Sequence, residues 1–207
     1  MELSLILGFI AATLALALMP GPDNIYVLTE SISKGWRQGV SITSGLISGC
    51  LIHTTLVATG LSVFVFNYPS VYNILKFAGA AYLLYMAYGA YKEQPMALNL
   101  GGKQARDSFW PLFRKGFIMN VLNPKVTLFF IVLLPQFVSN NGFSPMWQMM
   151  ILGLIFMAIS FPVFASVAML AGKAASLVNK PIFWEITKWI KVLVLVGLAV
   201  LLGFSER

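Results

Sequence analysis

Apolar residues run along this chain in long blocks, separated by short polar or proline-bearing interruptions. No Asp, Glu, Lys or Arg falls between Arg37 and Lys76, or between Lys125 and Lys173. Each charge-free block can supply two membrane helices of about 20 residues joined by a tight turn. The pattern predicts a first span from near Leu3 to about Ser33 and a second from about Gln38 to Phe66, closed by the turn Asn67-Tyr68-Pro69. A third runs from about Ser70 to Tyr91, and a polar segment from Lys92 to Lys115 follows, with Pro95, Gly101 and Gly102. The fourth covers Gly116 to Val138 and ends at Asn140-Asn141-Gly142; the fifth covers Pro145 to Ala171 and the sixth about Phe183 to Leu202. The expectation is an all-α membrane protein of six transmembrane helices.

Composition agrees. Of 207 residues, 58% are hydrophobic and only 10% charged, and the mean hydropathy is +0.82. Soluble domains carry about 25% charged residues, so an ordinary soluble surface is excluded. The net charge of +7 is explained by topology rather than by nucleic-acid binding. Loops one, three and five hold Lys34 and Arg37; Lys92, Lys103, Arg106, Arg114 and Lys115; and Lys173 and Lys180. On the other side only Arg207 lies clearly outside a span, so positive-inside counting puts the odd loops in the cytoplasm and both termini outside. Lys188 and Lys191 can snorkel to the cytoplasmic interface from early in span six. Lys76, near the outer end of span three, is less easily explained. The first span has Glu2 in place of a basic n-region and no A-x-A cleavage pattern, and is read as retained. A lone Cys50 in span two permits no intrachain disulfide.

Two spans are interrupted by proline next to a charge. Span one carries Met19-Pro20-Gly21-Pro22-Asp23-Asn24, and span four carries Asn123-Pro124-Lys125. A proline inside a helix costs roughly 3 kcal/mol, and a charge at mid-bilayer adds about 2.5–3.5 kcal/mol on insertion scales. Interrupted helices at corresponding positions of two halves are the best sequence pointer to a transporter's substrate site. An odd number of spans per half would make the halves an inverted repeat: repeat one about 1–91, a cytoplasmic linker about 92–115, and repeat two about 116–207. The shared X-Pro-charge triplet, Gly21-Pro22-Asp23 against Asn123-Pro124-Lys125, fits that alignment.

The broken ends suggest a ligand. Half-helix N-termini favour an anionic group and freed carbonyls favour a cation, while Asp23 and Lys125 offer one charge of each sign. A zwitterion with its carboxylate and ammonium a few atoms apart suits such a pair, which points to an amino-acid-like substrate. The competing reading is a purely structural ion pair, itself weak support for stability. The two readings combine if the pair closes a gate when empty. Glu30, seven residues beyond Asp23, lies on the same helical face and either lines a path or sits at the interface. His53, the only histidine, follows Ser41, Gly45 and Gly49 at i+4 spacing. It serves as a proton relay or as a hydrogen-bonded packing residue. The Gly45–Gly49 stripe lets a helix approach closely, in this chain or in a homodimer. Pro162 kinks span five at most.

Met19 to Asn24, Ser44 to His53 (SGLISGCLIH), Phe77 to Tyr91 (FAGAAYLLYMAYGAY) and Phe113 to Phe130 (FRKGFIMNVLNPKVTLFF), followed by Leu134 to Phe137 (LPQF), resemble the lysine exporter (LysE) family of amino-acid translocators. The pattern is most similar to its threonine/homoserine-exporter branch. The resemblance covers most of residues 5 to 137 and implies a multi-pass bacterial inner-membrane exporter of neutral amino acids, exchanging protons by alternating access. Carried over by position, it implies a substrate site at Pro20, Gly21, Pro22, Asp23, Asn24, Asn123, Pro124 and Lys125, with Asp23, Glu30 or His53 as the proton carrier. No cofactor is implied; the partners are substrate, protons and lipid. Alternatives are export of another small metabolite or of a metal ion, and more remotely an intramembrane enzyme or a scaffold. No GxSxG or HExxH occurs, and the spans offer few metal ligands.

Overall fold

A computed structural model describes residues 1–19, 21–61, 68–94, 106–139, 141–178 and 180–204. Among them the chain is helical throughout, without strands. The elements are α1 Leu3–Leu18, α2 Pro22–Lys34, α3 Trp36–Leu56, α4 Pro69–Lys92, α5 Phe109–Val121, α6 Pro124–Leu128, α7 Pro145–Val178 and α8 Pro181–Gly203. A π-helical turn, Val57–Leu61, extends α3; another, Phe129–Leu133, and a 3₁₀ turn, Leu134–Phe137, extend α6.

Three stretches are long and apolar enough to cross a bilayer alone: Trp36–Gly60, Pro145–Lys173 and Pro181–Gly203. Two bent pairs qualify when each is taken as one span, α1 with α2 at 53° and α5 with α6 and its turns at 51°. The described residues thus hold three to five candidate spans by length and apolarity. Where the third span was expected the chain forms the helix α4, 24 residues long, but it is not among the candidate spans, because Tyr72, Tyr82, Tyr85, Tyr88, Tyr91 and Lys76 dilute its hydropathy. Near the start of α4, Tyr72 Oη donates to Gln136. Just past its end, Glu93 pairs with Lys191 of α8.

Several boundaries differ from those read in the sequence. α5 begins at Phe109, so Phe109–Lys115, assigned to the linker, are helical. The aromatic run Phe109-Trp110 starts the helix after Ser108, and Arg114 and Lys115 ride on it. Lys115 lies 4.2 Å from the Tyr26 ring centroid. The second half of span four is a short α-helix and then wider and tighter turns, because Pro135 lacks the N–H that would continue an α-helix. α7 passes through Pro162 unbroken and reaches Val178. Asn67, Pro95, Gly101, Gly102, Lys103, Asn140 and Arg207 lie outside the described residues. Lys76 sits 5.2 Å from the Phe77 ring centroid, a contact that helps hold its charge.

The centre is built on close helix approach. A Cβ on Gly45 of α3 would sit 1.9 Å from Phe113 O, and one on Gly116 of α5 would sit 2.2 Å from Ile42 O. Only glycine at both positions lets the backbones meet, the small-residue logic of membrane helix packing. The Ser41-Gly45-Gly49-His53 stripe is therefore buried within this chain. It is not free to form a homodimer seam. α7 packs on the neighbouring side of α3, where Gly153 leaves room for Thr54. The largest core cluster joins Phe9 of α1, Cys50 of α3, Phe129 and Phe130 after α6, Phe156 of α7 and Leu195 of α8. Phe130 and Phe156 meet edge to face at 5.0 Å. Outward faces carry Leu3, Phe77, Leu193 and Leu201, exposed as lipid-facing side chains are.

Candidate functional site

Each break has the same local cause and a different repair. Gly21 precedes α2 and Pro22 opens it, placing Asp23 in the first turn. Proline is at home there because its missing N–H would be unpaired in any case. Carbonyls left over at the end of α1 are taken by Asn24, whose Nδ2 donates to Ala17 O at 3.0 Å and Met19 O at 3.4 Å. Among the described residues its buried Oδ1 has no hydrogen-bond partner. Pro20, assigned to the site from sequence, lies outside the described residues.

At the second break Pro124 opens α6 and Asn123 caps it, with Oδ1 accepting from the Lys125 N–H at 3.0 Å. Pro124 cannot donate to Asn120 O as a helix would require. That carbonyl accepts instead from Asn123 N at 2.9 Å and lies 3.2 Å from His53 Nε2. A carbonyl only accepts, so Nε2 carries the hydrogen, which fixes the tautomer of a neutral ring. His53 is buried, and its ring packs on Phe130 at 5.7 Å. These contacts fit the hydrogen-bonded packing reading.

The two breaks meet. Asn123 Nδ2 donates to Asp23 Oδ2 at 2.6 Å, joining residues 100 apart in sequence. The bond is short, as expected for a carboxylate acceptor. A Cβ on Gly21 would stand 3.1 Å from Lys125 Nζ, so the ammonium rests over the first break. The direct Asp23–Lys125 ion pair expected as the structural alternative is not formed. Among the described residues no carboxylate oxygen comes within 4.0 Å of Lys125 Nζ. Asn123 occupies the carboxylate in its place.

Asp23 and Lys125 line a small cavity of about 20 Å³ with Asn120, Cys50 and Ser160. Leu16, Leu46, Val126, Phe156 and Phe164 supply apolar wall. That volume admits a water and no more, so it has no room for a substrate. Asn120, Cys50 and Ser160 were not assigned to the site from the sequence, where Cys50 figured only as the lone cysteine. Asn120 carried a signal, being the residue whose carbonyl Pro124 strands. Cys50 shares a helical face with His53 in outline only, and Ser160 gave no signal.

Glu30 is apart from this cavity, toward the far end of α2. It accepts from Tyr26 Oη at 2.9 Å and pairs with Lys34 at 3.1 Å. Lys34 also reaches Asp107 at 2.8 Å, whose N–H donates to Gln38 Oε1 at 2.8 Å. This network ties α2, the start of α3 and the segment before α5 together at one end of the bundle. Among the described residues no group of three or more His, Cys, Asp or Glu is placed to hold a metal ion.

Comparison with known proteins agrees with this architecture. Residues 14–206 match the family model described as LysE type translocator. The chain is 31% identical over 174 residues to a homoserine/homoserine lactone efflux protein of Salmonella typhimurium, covering 84% of each chain. It is 30% identical over the same length to the protein of that name from Salmonella typhi, again with 84% of each covered. It is 25% identical over 209 residues to the uncharacterized membrane protein YrhP of Bacillus subtilis, covering 97% of this chain and 99% of that one. No solved structure matches it. A family match over nearly the whole chain makes this a membrane transport protein rather than an enzyme: it belongs to the LysE-type translocators.

Proposed function

We propose that the protein exports neutral amino acids of threonine, homoserine or leucine type across the bacterial inner membrane, by proton-coupled alternating access. One observation carries the reading. A carboxylate and an ammonium from two broken helices face one small cavity without neutralising each other directly. Homoserine efflux by its relatives adds support for the substrate class.

Asp23 takes the substrate ammonium, and Lys125 with the N-terminal turn of α6 takes the carboxylate. Asn123 is the stand-in: its Nδ2 holds Asp23 at 2.6 Å where an ammonium would otherwise donate. Substrate entry displaces that carboxamide and widens the cavity. Asp23 is also our choice for the exchanged proton, over Glu30 and His53. His53 is committed to Asn120 O, and Glu30 is committed to Lys34 and Tyr26.

The frame is six spans in two inverted halves, with α4 as the third span, odd loops and linker in the cytoplasm, and both termini outside. Three features support it. The breaks bend alike, 53° and 51°; Pro22 and Pro124 each open the helix beyond the break; and α3 packs on α7 while α4 packs on α8, as equivalents related by a two-fold would. Lys34 and Asp107 bring loops one and three to one end, whereas the Met1 amino group lies by Gly142 at the other.

The test is efflux from cells preloaded with labelled neutral, basic and acidic amino acids. Efflux of neutral amino acids is expected to accelerate and to collapse on proton uncoupling. Asp23→Asn and Lys125→Met should each abolish it with insertion intact. Normal export by either variant removes that residue from its role. No efflux of any amino acid from well-inserted protein overturns the reading.

A further inference from the structure

Many helical hydroxyls in this chain satisfy themselves. Ser31, Ser41, Ser44, Ser48, Thr54 and Ser166 each donate to the carbonyl four residues back, at 2.6–2.9 Å. Among the described residues the buried hydroxyls of Thr13, Thr43 and Ser160 have no hydrogen-bond partner. Of these three only Ser160, on α7 and 1% exposed, lines the same cavity as Asp23 and Lys125. Burying a hydroxyl unpaired is costly, so this one is poised to pair with whatever occupies the cavity.

The position says which part of a ligand it meets. Phe156, Ser160 and Phe164 recur every four residues, so they form one face of α7 toward the cavity. The two charged groups come from α2 and α6, elsewhere on the cavity wall. α7 therefore presents an aromatic surface carrying a single hydroxyl. Such a wall suits a short side chain bearing one oxygen, not a charged head group.

We propose that Ser160 is a specificity-determining residue that hydrogen-bonds a hydroxyl on the substrate's side chain, favouring hydroxylated amino acids over aliphatic ones of the same shape. The assignment rests on the amino-acid export reading above. A site built around a polar partner discriminates against the analogue that lacks it, because the site's own group is then left buried and unpaired. A purely apolar pocket separates such isosteres weakly.

The experiment uses the full chain reconstituted in proteoliposomes, with two isosteric pairs: L-homoserine with L-norvaline, and L-threonine with L-valine. Wild type should transport the hydroxylated member of each pair about tenfold or more better, the fold-change of one hydrogen bond. Ser160→Ala should bring the ratio of each pair near one, mainly by slowing the hydroxylated member, while norvaline and valine are unchanged or faster. Ser160→Thr, which keeps the hydroxyl, should retain the preference. Loss of an unpaired hydroxyl should not impair folding, and melting of the purified variants verifies that. Equal slowing of both members by Ser160→Ala, or an unchanged ratio, overturns the role of Ser160 while leaving amino-acid transport standing. Failure of wild type to move any of the four overturns the transport reading and this assignment with it.

Discussion

The contact between α3 and α5 predicts opposite outcomes for the same substitution at two glycines. In Gly45→Ala the new methyl would lie 1.9 Å from Phe113 O, a backbone atom that cannot rotate away. The helices would have to part by about 1 Å or more to relieve it. Overpacking of this kind costs about 1–3 kcal/mol, and a rigid opponent places it at the upper end. The intrinsic helix gain of Ala over Gly returns about 1 kcal/mol. The net loss is about 2 kcal/mol, or about 4–8 °C in melting temperature by the scaling of globular chains of this size. Gly89 of α4 has nothing within 4 Å of its Cβ position. Gly89→Ala should collect the propensity gain alone and raise the melting temperature by about 2–4 °C. Thermal unfolding of both variants in one detergent, with efflux alongside, is the assay. Efflux should fall in Gly45→Ala only, because parting α3 from α5 also draws His53 from Asn120 O, now at 3.2 Å. If Gly45→Ala melts at or above wild type, the close-approach reasoning is wrong.

Other perturbations follow from the breaks. Asn123→Ser keeps a cap for α6 but cannot reach Asp23, so equilibrium binding of a neutral amino acid should tighten by about tenfold, one charge-assisted hydrogen bond no longer having to be displaced; weaker binding would contradict the stand-in role. His53→Leu should lower thermal stability by about 0.5–1.5 kcal/mol by removing one of the two donors to Asn120 O, whereas His53→Gln keeps a donor and should lose less; equal losses would count against that bond. Cys50 is the only cysteine and is buried on the cavity. It should resist maleimide labelling at rest and label during turnover. Rapid labelling of resting protein would mean that the cavity is not closed.

The fold was legible where the chain's punctuation had a steric cause. Pro22 and Pro124 mark both breaks, since each removes a donor that a continuous helix needs, and Asn123 before Pro124 reads as a helix cap. The charge-free blocks located α3 and α7. Legibility failed where tertiary contacts chose between equal local options. Nothing local distinguishes Phe109–Lys115 as helix from linker. The glycine stripe announced a close approach but not its partner, which is Gly116 of the same chain. Asp23 and Lys125 were recognised as facing charges. That Asn123 stands between them is a matter of placement in space, which spacing along the chain does not encode. Ser160 was invisible because a serine in an apolar helix ordinarily bonds its own backbone.

The unequal repair of the two breaks bears on the order of synthesis. The first is closed by Asn24, seven residues from the carbonyl it serves, so all of its parts emerge from the ribosome together. The second is closed locally by Asn123 N and completed by His53, 67 residues earlier in the chain, which is already in the membrane when Asn120 is translated. The amino-terminal half can thus complete its kink unaided and then template the other. When the halves are produced as separate polypeptides, the amino-terminal piece should persist alone, and the carboxy-terminal piece should be degraded unless its partner is made first.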